Sequence, residues 1–218
     1  FCCRNDGLAL PLIALQYHDV RLEFEFNAAT RFSDQSSGVS MSNTTLLVNY
    51  IYLDSEERKR FAQASHEYLI EQLQYTGVET ATTTAGSNKL RLNFNHPIKE
   101  LIWVHNATSA ELGTHHDITN ALLQLNGHDR FSSQSGLFFN RLQPSVHHTK
   151  SPSAGVNVYS FALNPEDHQP SGTCNFSRID NATLTITTAQ DGGEIYVYGV
   201  NYNVLRIMSG MGGVAYSN

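Results

Sequence analysis

The chain predicts an all-β fold, and three observations carry that reading. About eight segments read as strands, rich in Val, Ile, Tyr, Phe and Thr and bounded by Gly, Pro, Asn and Ser. Long loops rather than two-residue turns join most of them, and no strand–helix–strand alternation appears. Helical spacing of apolar residues occurs only once. Eight antiparallel strands in two sheets with long crossing loops describe an eight-stranded antiparallel jelly-roll sandwich, here with one inserted amphipathic helix.

The elements follow in order. Between Tyr17 and Phe26, Val20, Leu22, Phe24 and Phe26 alternate with Arg21, Glu23 and Glu25, which predicts a half-buried strand with one wet face. Residues 27–43 are rich in Ser, Ala, Thr and Gly and read as a loop. Thr45 to Leu53 is apolar on both faces, as a central strand is. Asp54 and Ser55 supply a helix N-cap, with Glu56 and Glu57 in the first turn, where the helix dipole favours negative charge. Phe61, Ala64, Tyr68, Leu69 and Leu73 recur at helical spacing, with Gln63, Glu67, Glu71 and Gln74 opposite. One helix is therefore expected within Ser55 to Tyr75, ending near Gly77.

Thr76 to Asn88 lacks periodicity and reads as a loop. Leu90, Leu92 and Phe94 alternate with polar residues up to a turn at Asn95-His96-Pro97, and Ile98 to Val104 reads as a central strand. Ala121 to Leu125 is a shorter strand closed by Asn126-Gly127, the strongest hairpin signal in the chain. Leu137 to Leu142 suits a short helix as well as a strand. Val156 to Leu163, Ala182 to Thr188 and Glu194 to Met208 complete the set, with Asp191-Gly192-Gly193 as the turn before the last. Val204, Leu205, Ile207 and Met208 put apolar side chains on both faces of that final strand, so it belongs inside a sheet and not at an edge.

Composition narrows the function. With 218 residues and 40% hydrophobic content, the chain is large enough for one sizeable all-β domain or two small ones. Its net charge of −6 argues against wrapping nucleic acid, which needs clustered Lys and Arg. The one basic cluster, Arg58-Lys59-Arg60, follows Glu56 and Glu57 and reads as a solvated helix surface with a Glu56–Arg60 pair. No apolar run reaches the roughly 18 residues that span a bilayer. Cys2, Cys3 and Cys174 are odd in number and lack C-x-x-C spacing, which favours reduced thiols over a disulfide scaffold or zinc site.

No residue set reads as catalytic, cofactor-binding or metal-binding. His115-His116 and His147-His148 are adjacent pairs, and neighbours on a strand point to opposite faces, so neither forms the H-x-H of a cupin-type metal site. His115-His116-Asp117 is expected in a solvated loop. Glu166-Asp167-His168 holds consecutive residues that do not converge on one point, so it is expected to order a polar loop. Ser209 to Gly213 lacks the flanks of a nucleophile elbow; its glycines fit a backbone turning close to a neighbouring surface. Asn43, Asn106, Asn175 and Asn181 open N-x-S/T sequons, whose number is what chance gives in a chain this rich in Asn, Ser and Thr.

Three blocks carry a resemblance. LALPLIALQYHDVRLEFEF (Leu8 to Phe26), SFALNPEDHQPSGTCNFSRID (Ser160 to Asp180) and VNYNVLRIMSGMGGVAYSN (Val200 to Asn218) resemble the major capsid proteins of the nucleocytoplasmic large DNA viruses, of the algal-virus and giant-virus type. The resemblance implies the C-terminal half of a double jelly roll, with residues 1–10 as the interdomain connection and residues 11–218 as the C-terminal jelly-roll domain. It implies a structural protein and not an enzyme: a homotrimer formed through the companion jelly roll and neighbouring subunits, with a pseudo-hexagonal outline. Adjacent capsomers and minor capsid proteins would be its partners, with an internal membrane nearby but not penetrated and no direct contact to nucleic acid. Its place would be the outer shell of an icosahedral virion assembled in host cytoplasm. The tail from Ser209 to Asn218 would pack on the companion jelly roll or a neighbouring subunit, or else fold back on its own domain. Two other readings compete: a carbohydrate-binding jelly-roll module, supported by Tyr196 and Tyr198, and a cupin-like metalloenzyme, which fails on ligand spacing.

Overall fold

The computed structural model describes residues 5–26, 43–82, 86–106, 115–190 and 192–216. They divide into two compact units, Ile70–Asn203 and Phe1–Leu69 with Val204–Ser217. Most of both sheets lies in the first. One sheet contains β1 (His66–Thr80), β3 (Pro97–Asn106), β7 (Val156–Ser160) and β10 (Glu194–Met208) in the order β1-β10-β3-β7. Two short strands, β8 (Cys174–Asn175) and β11 (Met211–Val214), pair with β3 and β10. The other sheet runs β2-β9-β4-β5, from β2 (Gly86–Arg91), β4 (Ile118–Leu125), β5 (His128–Asp129) and β9 (Ala182–Thr188), with β6 (Gln134–Ser135) on β4. The long strands alternate between the sheets along the chain, which is jelly-roll topology. β10 lies between β1 and β3, as its two-sided apolar pattern predicts.

The core fills the space between the sheets. Leu101 and Trp103 of β3, Ile195 and Val197 of β10, Leu184 and Ile186 of β9 and Leu123 of β4 are fully buried at alternate positions. The ambiguous stretch at Leu137 resolves as helix: a π-turn at Phe138–Leu142 runs into α2 (Gln143–His147). Its Phe139 ring lies 5.0 Å from that of Trp103. Asn126 and Gly127 adopt φ of 51° and 80°, the paired left-handed geometry that the hairpin signal calls for.

The helix is shorter than the spacing predicts. α1 is Ser55–Gln63, capped by Asp54, whose carboxylate accepts from the Glu57 backbone N–H at 2.8 Å. Glu56 pairs with Lys59 at 3.1 Å, not with Arg60. The chain turns extended at Ala64, and His66 Nε2 lies 2.8 Å from the Phe61 carbonyl left open at the helix end. Residues 66–80, expected in part as helix, are β1. From Glu67 to Thr76 partly buried and exposed residues largely alternate, which is a strand period. Tyr68 and Leu73, placed together by the helical spacing, fall on opposite faces of the strand, and the extended segment gains in the long strand β10 a row of backbone partners along one edge.

The two strands expected at Tyr17 to Phe26 and Thr45 to Leu53 are not formed. Leu22, Phe24, Leu47 and Tyr52 are 63, 62, 92 and 91% exposed, and no described strand pairs with either segment. Alternation selects a face, but a strand also needs a hydrogen-bonded neighbour. The loop expected at residues 27–43 lies outside the described residues except Asn43, and so does Asp191 of the turn before β10. The tail folds back: Ser209 and Gly210, at φ 52° and 81°, turn the chain so that β11 pairs with β10, Leu205 facing Val214.

Candidate functional site

Two charged residues sit buried on the outward side of β3 because of a bulge. Val200 of β10 faces Glu100 and Asn201 faces Ile98, which leaves Lys99 as an extra residue. Lys99 and Glu100 thus leave the core side to Ile98 and Leu101. The Lys99 ammonium lies 2.6 Å from Glu71 Oε1 of β1, donates to the Pro165 carbonyl at 2.7 Å and sits 5.6 Å from the centre of the Tyr202 ring. Glu100 Oε2 lies 3.1 Å from His148 Nε2, close enough for charge pairing though not aligned as a hydrogen bond. His148 Nδ1 lies 3.3 Å from Glu166 Oε1, and Glu166 Oε2 accepts from the Thr149 N–H at 3.1 Å.

Burial pushes the Glu100 carboxyl above the usual range, against the pull of His148 and Lys99. Hydrogen bonds from Thr149 hold the Glu166 carboxyl below it, helped by His148. The cluster ties β1 and β3 to the segments at His148 and Pro165. Its ion pairs and hydrogen bonds link these segments to one another, while Glu100 Oε2 and His148 Nε2 face each other without a hydrogen bond. Glu166 therefore orders its loop as expected. His147 and His148 part company, His147 Nδ1 reaching the Leu163 carbonyl at 2.8 Å.

A second cluster was not legible as such. His105 is fully buried, its Nε2 2.7 Å from the Gly192 carbonyl and its ring 4.9 Å from that of His116. Burial lowers its pKa and His116 lowers it further, while the Gly192 hydrogen bond opposes both. The signal was parity, since His105 shares the inward side of β3 with Leu101 and Trp103. His115 and His116 are half-buried rather than solvated, and His115 Nδ1 lies 2.6 Å from Asn106 Oδ1. Among the described residues no three His, Cys, Asp or Glu side chains converge as a metal ion would require. Burial raises the pKa of the Cys174 thiol; Cys2 and Cys3 lie outside the described residues. Gly210 turns against Tyr17, where an added Cβ would lie 2.5 Å from the ring. Among the sequon asparagines, Asn175 caps a turn through the Ser177 N–H and Asn181 accepts from the Thr183 hydroxyl.

The two sheets differ on their outward faces. On the β2-β9-β4 side the facing residues are Ser87 and Thr187, Lys89 and Thr185, Arg91 and Thr183, with Gln124 and Leu122 beyond them. On the β1-β10-β3-β7 side Tyr196 faces Val104, which faces Val156, and Tyr198 faces Ile102, which faces Val158. The Tyr75 ring stacks on those of Tyr198 and Tyr196, at 4.9 and 6.0 Å.

Comparison with known proteins gives this arrangement a context. Residues 57–213 match the family model described as large eukaryotic DNA virus major capsid protein, and residues 1–54 match one described as major capsid protein N-terminus. A major capsid protein of Pyramimonas orientalis virus is 52% identical over 241 residues, covering 99% of this chain and 59% of that protein. That of Paramecium bursaria Chlorella virus 1 is 42% identical over 284 residues, covering 100% and 65%. The chain thus spans 59 to 65% of the length of these two relatives. A quasi-atomic model of the PBCV-1 virus capsid superposes with a TM-score of 0.80 at 37% identity, covering 99% of this chain and 68% of that one.

Proposed function

Because the chain belongs to the large eukaryotic DNA virus major capsid protein family, we propose that it is a structural subunit of a virion shell, built to be tiled and not to catalyse. The family match across both sheets carries this reading. The ion-paired cluster around Lys99 and Glu100 supports it, because it ties β1 and β3 to the segments beside them, as the wall of a shell requires. In this reading residues 11–218 contribute the C-terminal jelly roll of a double jelly roll, and residues 1–10 its connection to the preceding one. Three copies form a pseudo-hexagonal capsomer, which meets adjacent capsomers and minor capsid proteins above an internal membrane that it does not enter. Nucleic acid is not contacted, in keeping with the net charge of −6. Assembly takes place in host cytoplasm. Met211, Val214 and Tyr216, which stay 58, 44 and 61% exposed after the tail folds back, add to the contacts between copies.

Expression followed by electron microscopy and light scattering tests the reading. Trimers that tile into sheets or shells are the expected outcome. A protein that stays monomeric at every concentration, or binds a panel of glycans in place of itself, would falsify it.

A further inference from the structure

We propose that the outward face of the β1-β10-β3-β7 sheet is a contact surface for a second copy of this chain; the inference rests on the shell reading above. An antiparallel sheet with one face on the core normally turns polar side chains to water on the other. The β2-β9-β4 sheet does so for the most part, with Ser87, Lys89, Arg91, Thr185, Thr187 and Gln124 open outward beside the apolar Leu122, while Thr183 is covered. The opposite sheet carries Ile102, Val104, Val156, Tyr196, Tyr198 and Val200 at its outward positions, each partly open to solvent. Tyr75, 44% exposed, and Leu73, 63% exposed, extend the apolar surface onto β1. One domain therefore makes one wet face and one apolar face.

Charge identifies the occupant. Copies of a chain with net charge −6 repel each other, so contact between them favours a surface free of uncompensated charge. The centre of this face meets that condition, since Tyr75, Ile102, Val104, Tyr196 and Tyr198 carry no charge; charged groups lie at its margins, Glu194 accepting from the Tyr196 hydroxyl at one end and Glu71, Lys99, Glu100 and His148 paired among themselves at the other. A nucleic acid would find no exposed Lys or Arg here to pair with. The open part of the face is about three strands wide, since Val158 and Ser160 of β7 are already covered, and with three outward rows it measures roughly 14 by 20 Å, about 280 Å². That is about a third of the ~800 Å² each partner buries in a stable interface, the size of its centre, and interface centres are apolar, rich in tyrosine and poor in charge.

The test uses three proteins: the unaltered chain, a variant with Ile102→Glu and Tyr198→Glu, and a control with Thr185→Glu on the polar sheet. Mass is followed by light scattering, folding by thermal melting, and exposure of Tyr75, Tyr196 and Tyr198 by hydroxyl-radical oxidation. The unaltered chain and the control should associate, with those tyrosines oxidised several-fold more slowly in the assembly than in the dissociated chain. The double variant should melt like the unaltered chain yet associate at least ~30-fold more weakly, the loss of one strong interface contact. If the unaltered chain assembles with its tyrosines fully oxidisable, or the folded double variant assembles equally well, the face is wrong and the shell reading stands. If the unaltered chain forms no assembly at all, both fall. Should the double variant misfold, the oxidation of the unaltered chain decides alone.

Discussion

Only 3% of the Lys99 surface reaches solvent, and Glu71, the Pro165 carbonyl and the Tyr202 ring surround its side-chain nitrogen. Lys99→Met should lower the unfolding free energy by about 2 kcal/mol in a urea titration. That is less than a fully buried pair would lose, because the Glu71 side chain remains 37% exposed and rehydrates. Glu100 and His105 act through pH with opposite signs. The folded-state pKa of Glu100 is raised above its ordinary 4.5, so its contribution is complete below that value and lost as pH rises through the raised one. Glu100→Gln, a stand-in for the neutral acid, should therefore raise stability at about pH 7 and change little near pH 4. The pKa of His105 is lowered from 6.5, so its contribution is complete above that value and lost as pH falls through the lowered one. His105→Gln keeps a donor for the Gly192 carbonyl and removes the titration. The melting temperature of this variant should fall less steeply than that of the unaltered chain as pH drops below 6.5.

At the scale of elements, the boundary between α1 and β1 shows how two periods compete. Residues at 61, 64, 68 and 73 satisfy helical spacing, yet the helix stops at Gln63 and the strand begins at His66. The decision belongs to β10, which offers the extended chain a full ladder of partners. Turns are decided more locally. Gly193, at φ 95°, passes so close to β3 that a Cβ would lie 2.3 Å from the Asn106 carbonyl oxygen. Gly193→Ala should cost more than about 2 kcal/mol, through both the strained backbone and the clash. Gly213→Ala, with nothing within 4 Å of the added carbon, should stay within about 0.5 kcal/mol of the unaltered chain. Chemical denaturation of the pair separates the two cases.

For the molecule as a whole, stability rests on the core between the sheets and function on what the sheets present outward. Trp103, fully buried against Phe139, spans that core. Trp103→Ala should cost about 3–5 kcal/mol, measured by the urea midpoint at unchanged slope. Recombinant shells or capsomers should be lost with it, because a wall that unfolds cannot tile. The outward sides of the two sheets differ, one largely polar and one largely apolar.

Local chemistry let the sequence by itself determine much of this. The apolar run at Ile98 to Val104 and the strand-forming residues of Ala182 to Thr188 mark strands, Asn126-Gly127 marks a hairpin, and Asp54 marks a helix start, because each signal acts within a few residues. The three blocks at Leu8, Ser160 and Val200 pointed to the family, since long strings of unusual words rarely recur by chance. What needed partners distant in sequence was left to the tertiary structure. Only the pairing of β1 with β10 could end the helix at Gln63, and only a paired neighbour could have made strands of Val20 to Phe26 and Thr45 to Leu53. The bulge that sends both Lys99 and Glu100 outward is a mismatch between β3 and β10, set by register, and the fate of two buried charges was settled there.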